Sequence, residues 1–176
     1  DADGDAVTHD LDVGNGGAFK LKDDGPSIDT TKVATLDTLT VDESDLATNA
    51  TANFADNFAT ANSYGADGAG STAYTLVLTG TNVNSGLYAL GTGGAQGNQI
   101  VLNQTGNTIT GSEGGTDYFT ISIDTATGVV TLDQLAAIYH GDSTDADDTS
   151  TLTAAANALV LRATVTDADG DAVTHD

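Results

Sequence analysis

The chain has 176 residues, enough for one domain or two small ones, with 26 acidic against 4 basic side chains and a formal net charge of −22. A field of that sign repels nucleic acid, and a chain without Cys has neither disulfides nor thiolate metal chemistry. No apolar run approaches the ~20 residues of a membrane-spanning helix. Nearly all the acid is Asp, with Glu43 and Glu113 the two glutamates. Asp is disfavoured in helices and favoured in turns, where short carboxylates suit a hard cation such as Ca2+. In an exported chain, bound metal can replace the missing disulfides.

In chain order, residues 1–10 read DADGDAVTHD, and residues 167–176 read the same ten residues again. An offset from position 1 to position 167 implies a tandem array of period 166, cropped to one period plus an overlap. Ala6–Val13 alternates and predicts a strand, and Ala18–Leu21 a second. Asp23-Asp24-Gly25-Pro26 is a charged turn that reads as a boundary: residues 1–27 close the preceding unit, and 28–176 form the body. Val41–Leu46 opens that body, Phe54–Ala59 is a weak strand, and Tyr64–Ser71 is a glycine-rich loop. Strands follow at Ala73–Thr79, Gly86–Leu90, Asn98–Asn103 and Thr108–Thr110. A hairpin is predicted from Tyr118–Asp124 and Gly128–Leu132, and the one short helix at Asp133–His140. Ala158–Thr166 then turns at Asp169-Gly170 and returns along Ala172–His175. The fold class is therefore all-β, an antiparallel sandwich with acidic loops and at most one short helix.

Asp167, Asp169 and Asp171 alternate, as do Asp1, Asp3 and Asp5, so each set presents three carboxylates on one face of an extended segment. Crowded like charges repel unless a cation joins them. This is not an EF-hand loop, because the glycine is fourth and no Glu sits twelfth. One such motif can equally be a solvated turn. Further clusters favour metal: Asp23-Asp24, Asp42-Glu43-x-Asp45, Asp67 in its loop, and Asp142–Asp148, where Asp145 and Asp147 are candidate ligands and a solvated acidic loop is the alternative. Turns from one end of a sandwich gather at one pole, so some of these clusters are expected to meet at a junction between units.

Other chemistries find no support. His9, His140 and His175 lack a metal-spaced partner, no Ser lies in a nucleophile elbow, and no glycine-rich loop carries a Lys for phosphate. Tyr64, Tyr74, Tyr88, Tyr118 and Tyr139 are scattered and read as core or edge residues, not as a sugar-stacking platform. No enzyme is expected.

The succession VDESDL (41–46), YGADGAG (64–70), YFTISIDTATGVVTLDQLAAIYH (118–140), LRATVTDADGD (161–171) and VGNGGAFKLKDDGPSI (13–28) resembles the large repeats of type I-secreted, repeats-in-toxin (RTX) adhesins. The resemblance implies an Ig-like sandwich used as an extender on a bacterial cell surface, with Ca2+ at and near the junctions. It matches the DADGD aspartates, Asp23-Asp24 and Asp42-Glu43 to metal-binding positions. The nonapeptide calcium repeats of such proteins are absent from this segment. The partners implied are neighbouring repeats of the same chain, with no nucleic acid, no membrane insertion and no small-molecule substrate, and the unit is expected to be a monomer. The rival function is a Ca2+-dependent module that binds a carbohydrate or a surface.

Overall fold

A computed structural model describes residues 2–12, 17, 19–29, 36–58, 62–142, 144–145 and 147–176. The strands are β1 (Ala50–Asn53), β2 (Ser71–Leu78), β3 (Val83–Leu90), β4 (Gln96–Thr105), β5 (Thr108–Glu113), β6 (Thr116–Ile123), β7 (Val129–Gln134), β8 (Leu159–Thr166) and β9 (Ala172–His175). They form two antiparallel sheets, one six-stranded in the order β1-β7-β6-β5-β4-β3 and one three-stranded in the order β2-β8-β9. Within the described residues the only helical pieces are 3-10 turns of three or four residues.

Alternation builds the core. Along β4, Ile100 and Leu102 are buried and their neighbours are not. Ile109, Phe119, Ile123 and Val130 join them from β5 to β7. Leu76 and Leu78 of β2, with Ala163 and Val165 of β8, close the other side. Each such aliphatic or aromatic side chain stabilises the fold by roughly 1.5–3 kcal/mol through burial. Gly111 is needed inside β5 because a Cβ there would lie 2.3 Å from the Phe119 ring.

Among the described residues, two of the four edge strands β1, β3, β2 and β9 find partners beyond their sheets, β2 and β3. On β2, Gln104 reaches across from the large sheet. Its amide donates to the Leu76 carbonyl (2.7 Å) and the Gly106 carbonyl (3.0 Å), and its oxygen accepts from the Leu78 N–H (2.7 Å). Along β3, Ile138 bridges Ala89, the Tyr139 N–H donates to the Tyr88 carbonyl, and the Thr153 N–H donates to the Ser85 carbonyl. Ile138, Tyr139 and Thr153 thus cover the β3 edge of the large sheet.

Four expectations need correction. Residues 133–140 are not a helix: Asp133 and Gln134 finish β7, and Ile138 pairs with β3. Closing the sheet edge outweighs the weak helical preference of seven or eight residues. Phe54–Asn57 is a 3-10 turn, because the Asn53 side chain accepts the Ala55 N–H and starts it. Residues 6–12 are exposed and outside any strand, with Val7 98% exposed, whereas the identical residues Ala172–His175 form β9. A lone strand is unstable in water, and β8 supplies the partner to only one of the two copies. The segment expected as a strand at 18–21 is irregular where it is described, from Phe19 to Leu21.

Replacing Gln104 with Ala leaves the β2 edge without its partners, a loss of about 1–3 kcal/mol. The melting temperature should fall by roughly 2–10 °C. An unchanged melting curve would show that this side chain does not hold the edge.

Candidate metal centre

The acidic pole forms where β2 begins and β8 ends. Ser71 pairs with Thr166, and the next residues of β8 enter the turn Asp167–Asp171. Asp167 organises this turn. Its N–H donates to the Asp171 carbonyl (3.0 Å), and its Oδ1 accepts from the Gly170 N–H (3.1 Å) and the Asp171 N–H (2.8 Å). Only 4% of Asp167 is exposed, and its Oδ2 is buried with no hydrogen-bond donor among the described residues.

Two glycines press further backbone onto this turn. A Cβ on Gly70 would sit 2.0 Å from the Thr166 carbonyl oxygen and 2.5 Å from that of Asp167. One on Gly65, whose φ is +74°, would sit 2.0 Å from the Asp24 carbonyl oxygen. The loop 64–70 is therefore packed between the β8 end and the segment carrying Asp23, which paired Ser27 and Ser63 backbones hold in place (2.8 and 2.9 Å). Chain segments 40 to 100 residues apart bring five carboxylates together. Oxygens of Asp23, Asp169 and Asp171 lie within 4.8 Å of one another, and so do those of Asp67, Asp167 and Asp169. Asp169 belongs to both sets.

The electrostatics follow from the crowding. Asp67 is held above the ordinary carboxylate value, first by Asp23 against it and then by the charges of Asp167 and Asp24. Asp169 is raised chiefly by Asp167, and Asp171 by Asp23 and then Asp167. Among the described residues the ion pairs are Glu43–His140 and Arg162–Asp176, and neither touches this pole. The donor set fits a hard divalent cation: it is all oxygen, strongly anionic, and contains one buried carboxylate oxygen with nothing to bind it.

The remaining candidates lie elsewhere. Asp1 is outside the described residues, and Asp3 and Asp5 are exposed on the upstream copy of the motif. Asp24 acts on Asp67 by charge and donates its N–H to Asp23. Asp42 caps the 3-10 turn Glu43–Asp45 through the Ser44 N–H, which holds its carboxyl below the ordinary value. Asp45 accepts from the Ala47 N–H and the Thr48 hydroxyl. Asp145 caps the Asp147 N–H in the 142–148 loop, and Asp147 stays exposed there. Glu43 does something that the sequence did not signal. Its Oε1 meets the Gln134 amide (3.0 Å), the Ile138 N–H (2.7 Å) and the His140 Nε2 (3.1 Å), stapling the 43–45 turn to the far end of β7. The Thr125 carbonyl, in the turn before β7, accepts from Tyr74 near the start of β2, so β7 begins beside the acidic pole. Six strand residues span about 20 Å, so Asp42, Glu43 and Asp45 occupy the opposite end of the sandwich.

The chain belongs to the DUF5801 family. That family is described as a domain of unknown function, and its model matches residues 38–176. The match contains Asp67, Asp167, Asp169 and Asp171, while Asp23 lies before it. No curated protein and no solved structure matches the chain.

Titration in chelator should expose the crowding in this DUF5801 domain. Asp67, Asp169 and Asp171 have folded values above the unfolded value of about 4, so between the two the folded state binds more protons. Stability is then lost as pH rises through the folded values. Asp42, Asp124, Asp142 and Asp176 are lowered, and the stability they lend is lost only as pH falls through their own values, below about 4. The metal-free protein should melt at a higher temperature near pH 5 than near pH 7. A melting temperature that rises across that interval contradicts the assignment.

Proposed function

We propose that this domain is a non-enzymatic extender, one unit of a tandem array in a bacterial cell-surface adhesin, in which Ca2+ locks the entry segment onto the sandwich. The observation that carries the reading is the buried, donorless Oδ2 of Asp167 within a cluster that includes Asp23, a residue of the segment before the body. Asp23, Asp67, Asp167, Asp169 and Asp171 would hold the ion, which supplies the positive charge that the chain lacks there. Once the charges are neutralised, the segment around Asp23 is fixed against Gly65 and the direction of entry is set. Without the ion, repulsion among the same carboxylates favours release of that segment. Support from the sequence is the duplicated decapeptide and the likeness to RTX adhesin repeats. The reading makes the domain an extracellular monomer whose partners are its neighbouring repeats.

A ligand that binds only the folded state at a hundredfold excess over its Kd stabilises it by about 2.7 kcal/mol. For one site, millimolar calcium should raise the melting temperature by roughly 5–10 °C over chelator. Magnesium should do less, since it demands a smaller octahedral shell. Asp169→Asn should abolish most of the shift, because Asp169 belongs to both carboxylate sets. Equal melting curves with and without calcium would remove the metal from the reading.

The array itself is tested by small-angle scattering on three or four repeats in series. A longer maximum dimension and lower flexibility in calcium than in chelator are expected. If the two profiles coincide, calcium does not stiffen the array.

A further inference from the structure

A second site lies away from the acidic pole, where the large sheet closes on itself. Between Asn84 and Tyr88 the β3 strand takes four steps while β4 takes two, from Val101 to Gln99, so β3 bulges outward. Gly86 sits in the bulge with φ +77°, pressed so closely on the closing segment that a Cβ would meet the Thr153 hydroxyl at 1.9 Å. Beside it opens a cavity of about 220 Å³, walled by Tyr88, Gln96, Tyr139, Ser150 and Thr151. The two tyrosines are 51 residues apart in the chain, and the hydrogen bond from the Tyr139 N–H to the Tyr88 carbonyl (2.9 Å) brings them together. The Tyr139 wall is fixed from behind. His140 Nε2 meets Glu43 at 3.1 Å, its Nδ1 meets the Ser150 hydroxyl at 3.4 Å, and that hydroxyl donates to the Tyr139 carbonyl.

The chemistry of the walls narrows the occupant. Among the described residues no charged side chain lines the cavity, so neither a metal ion nor an anionic ligand finds a counter-charge in those walls, and a net charge of −22 repels the anion as well. Hydroxyl and amide groups both donate and accept, which matches a ligand whose own groups do the same. Aromatic rings offer an apolar face to C–H surfaces. The volume is below that of pockets for drug-sized ligands, roughly 300–1,000 Å³, and suits one small ring. We infer that this cavity is a binding site for a neutral sugar ring, independent of the acidic pole. Gln96, Ser150 and Thr151 meet its hydroxyls, while Tyr88 and Tyr139 flank its C–H face. Glu43 and His140 are positioning residues for the Tyr139 wall. A small open site binds weakly, in the millimolar range, where Kd corresponds to about −4 kcal/mol. Recurrence of the site along the proposed array would multiply its hold on a polysaccharide by about 10²–10⁴. That gain rests on the array reading, whereas the site itself does not.

The test is an NMR titration of the calcium-loaded ¹⁵N-labelled domain with glucose, galactose, mannose and N-acetylglucosamine, each to about 50 mM. At least one sugar should give saturable shifts confined to the amides of residues 86–88, 96, 139 and 150–151. Tyr139→Ala and Gln96→Ala should each weaken that binding by about tenfold, a loss the titration reads directly. Gln96 is an exposed residue at a strand start, so its replacement leaves the fold intact. Asp169→Asn should leave sugar binding unchanged, which separates this site from the acidic pole. The inference is overturned if none of the four sugars gives saturable shifts. It is also overturned if the shifts fall on residues 23, 67 and 167–171 and vanish with chelator, or if both cavity variants bind as the parent does.

Discussion

Repulsion among five carboxylates at one end of the sandwich is the constraint on which the arrangement of the chain depends. Asp167 is buried because β8 delivers it inward, in phase with Ala163 and Val165. Two backbone N–H groups satisfy its Oδ1, but nothing among the described residues satisfies its Oδ2. Around it, Asp67 and Asp23 arrive on backbone that Gly70 and Gly65 allow to approach within contact distance. A chain that merely needed acidic surface would have spread these groups apart, since each raises the cost of ionising its neighbours. The proposed cation would neutralise the like charges that this packing converges.

The opposite end is built on another principle. Glu43 collects three donors from one short stretch, and Asp42 and Asp45 cap their own turn. Every one of these carboxylates is answered by protein hydrogen bonds. Glu rather than Asp at position 43 has a physical reason, because the additional methylene lets the carboxylate cross from the 43–45 turn to the backbone of Ile138. Removal of metal should therefore act on one end of the domain and leave the other closed.

Much of this was legible in the sequence, and the illegible parts share a cause. The hairpins at 118–132 and 159–175 show in alternation and turn chemistry, which are local signals. The aspartates at 167, 169 and 171 show in spacing, and Asp67 and Asp23 in their loops. What spacing cannot reveal is which loops meet. Asp42, Glu43 and Asp45 look as acidic as Asp23 in the sequence, yet the length of β7 puts them at the far end. The segment 133–140 carries a helical composition, but its fate is set by an open edge on β3, more than 40 residues upstream. The decapeptide at both ends of the chain makes the point without confounding variables. One sequence is a strand at 172–175 and irregular at 6–9, and the difference is the presence of β8.

The direction of β9 bears on how such units follow one another. β8 runs toward the acidic pole, and β9, antiparallel to it, runs away. Arg162, the chain's one arginine, grips Asp176, the residue after β9, through two hydrogen bonds (2.5 and 2.8 Å). The segment bearing Asp23 enters at the acidic pole, so entry lies at one end of the sandwich and β9 points toward the other. In the proposed array this is the arrangement that converts each added unit into length, because entry and exit at the same end would fold the array back on itself. It also gives the ion a position where it counts. At the acidic pole a carboxylate from the Asp23 segment meets four from the body, so in the proposed array a bound cation would act on the contact that sets the angle between units.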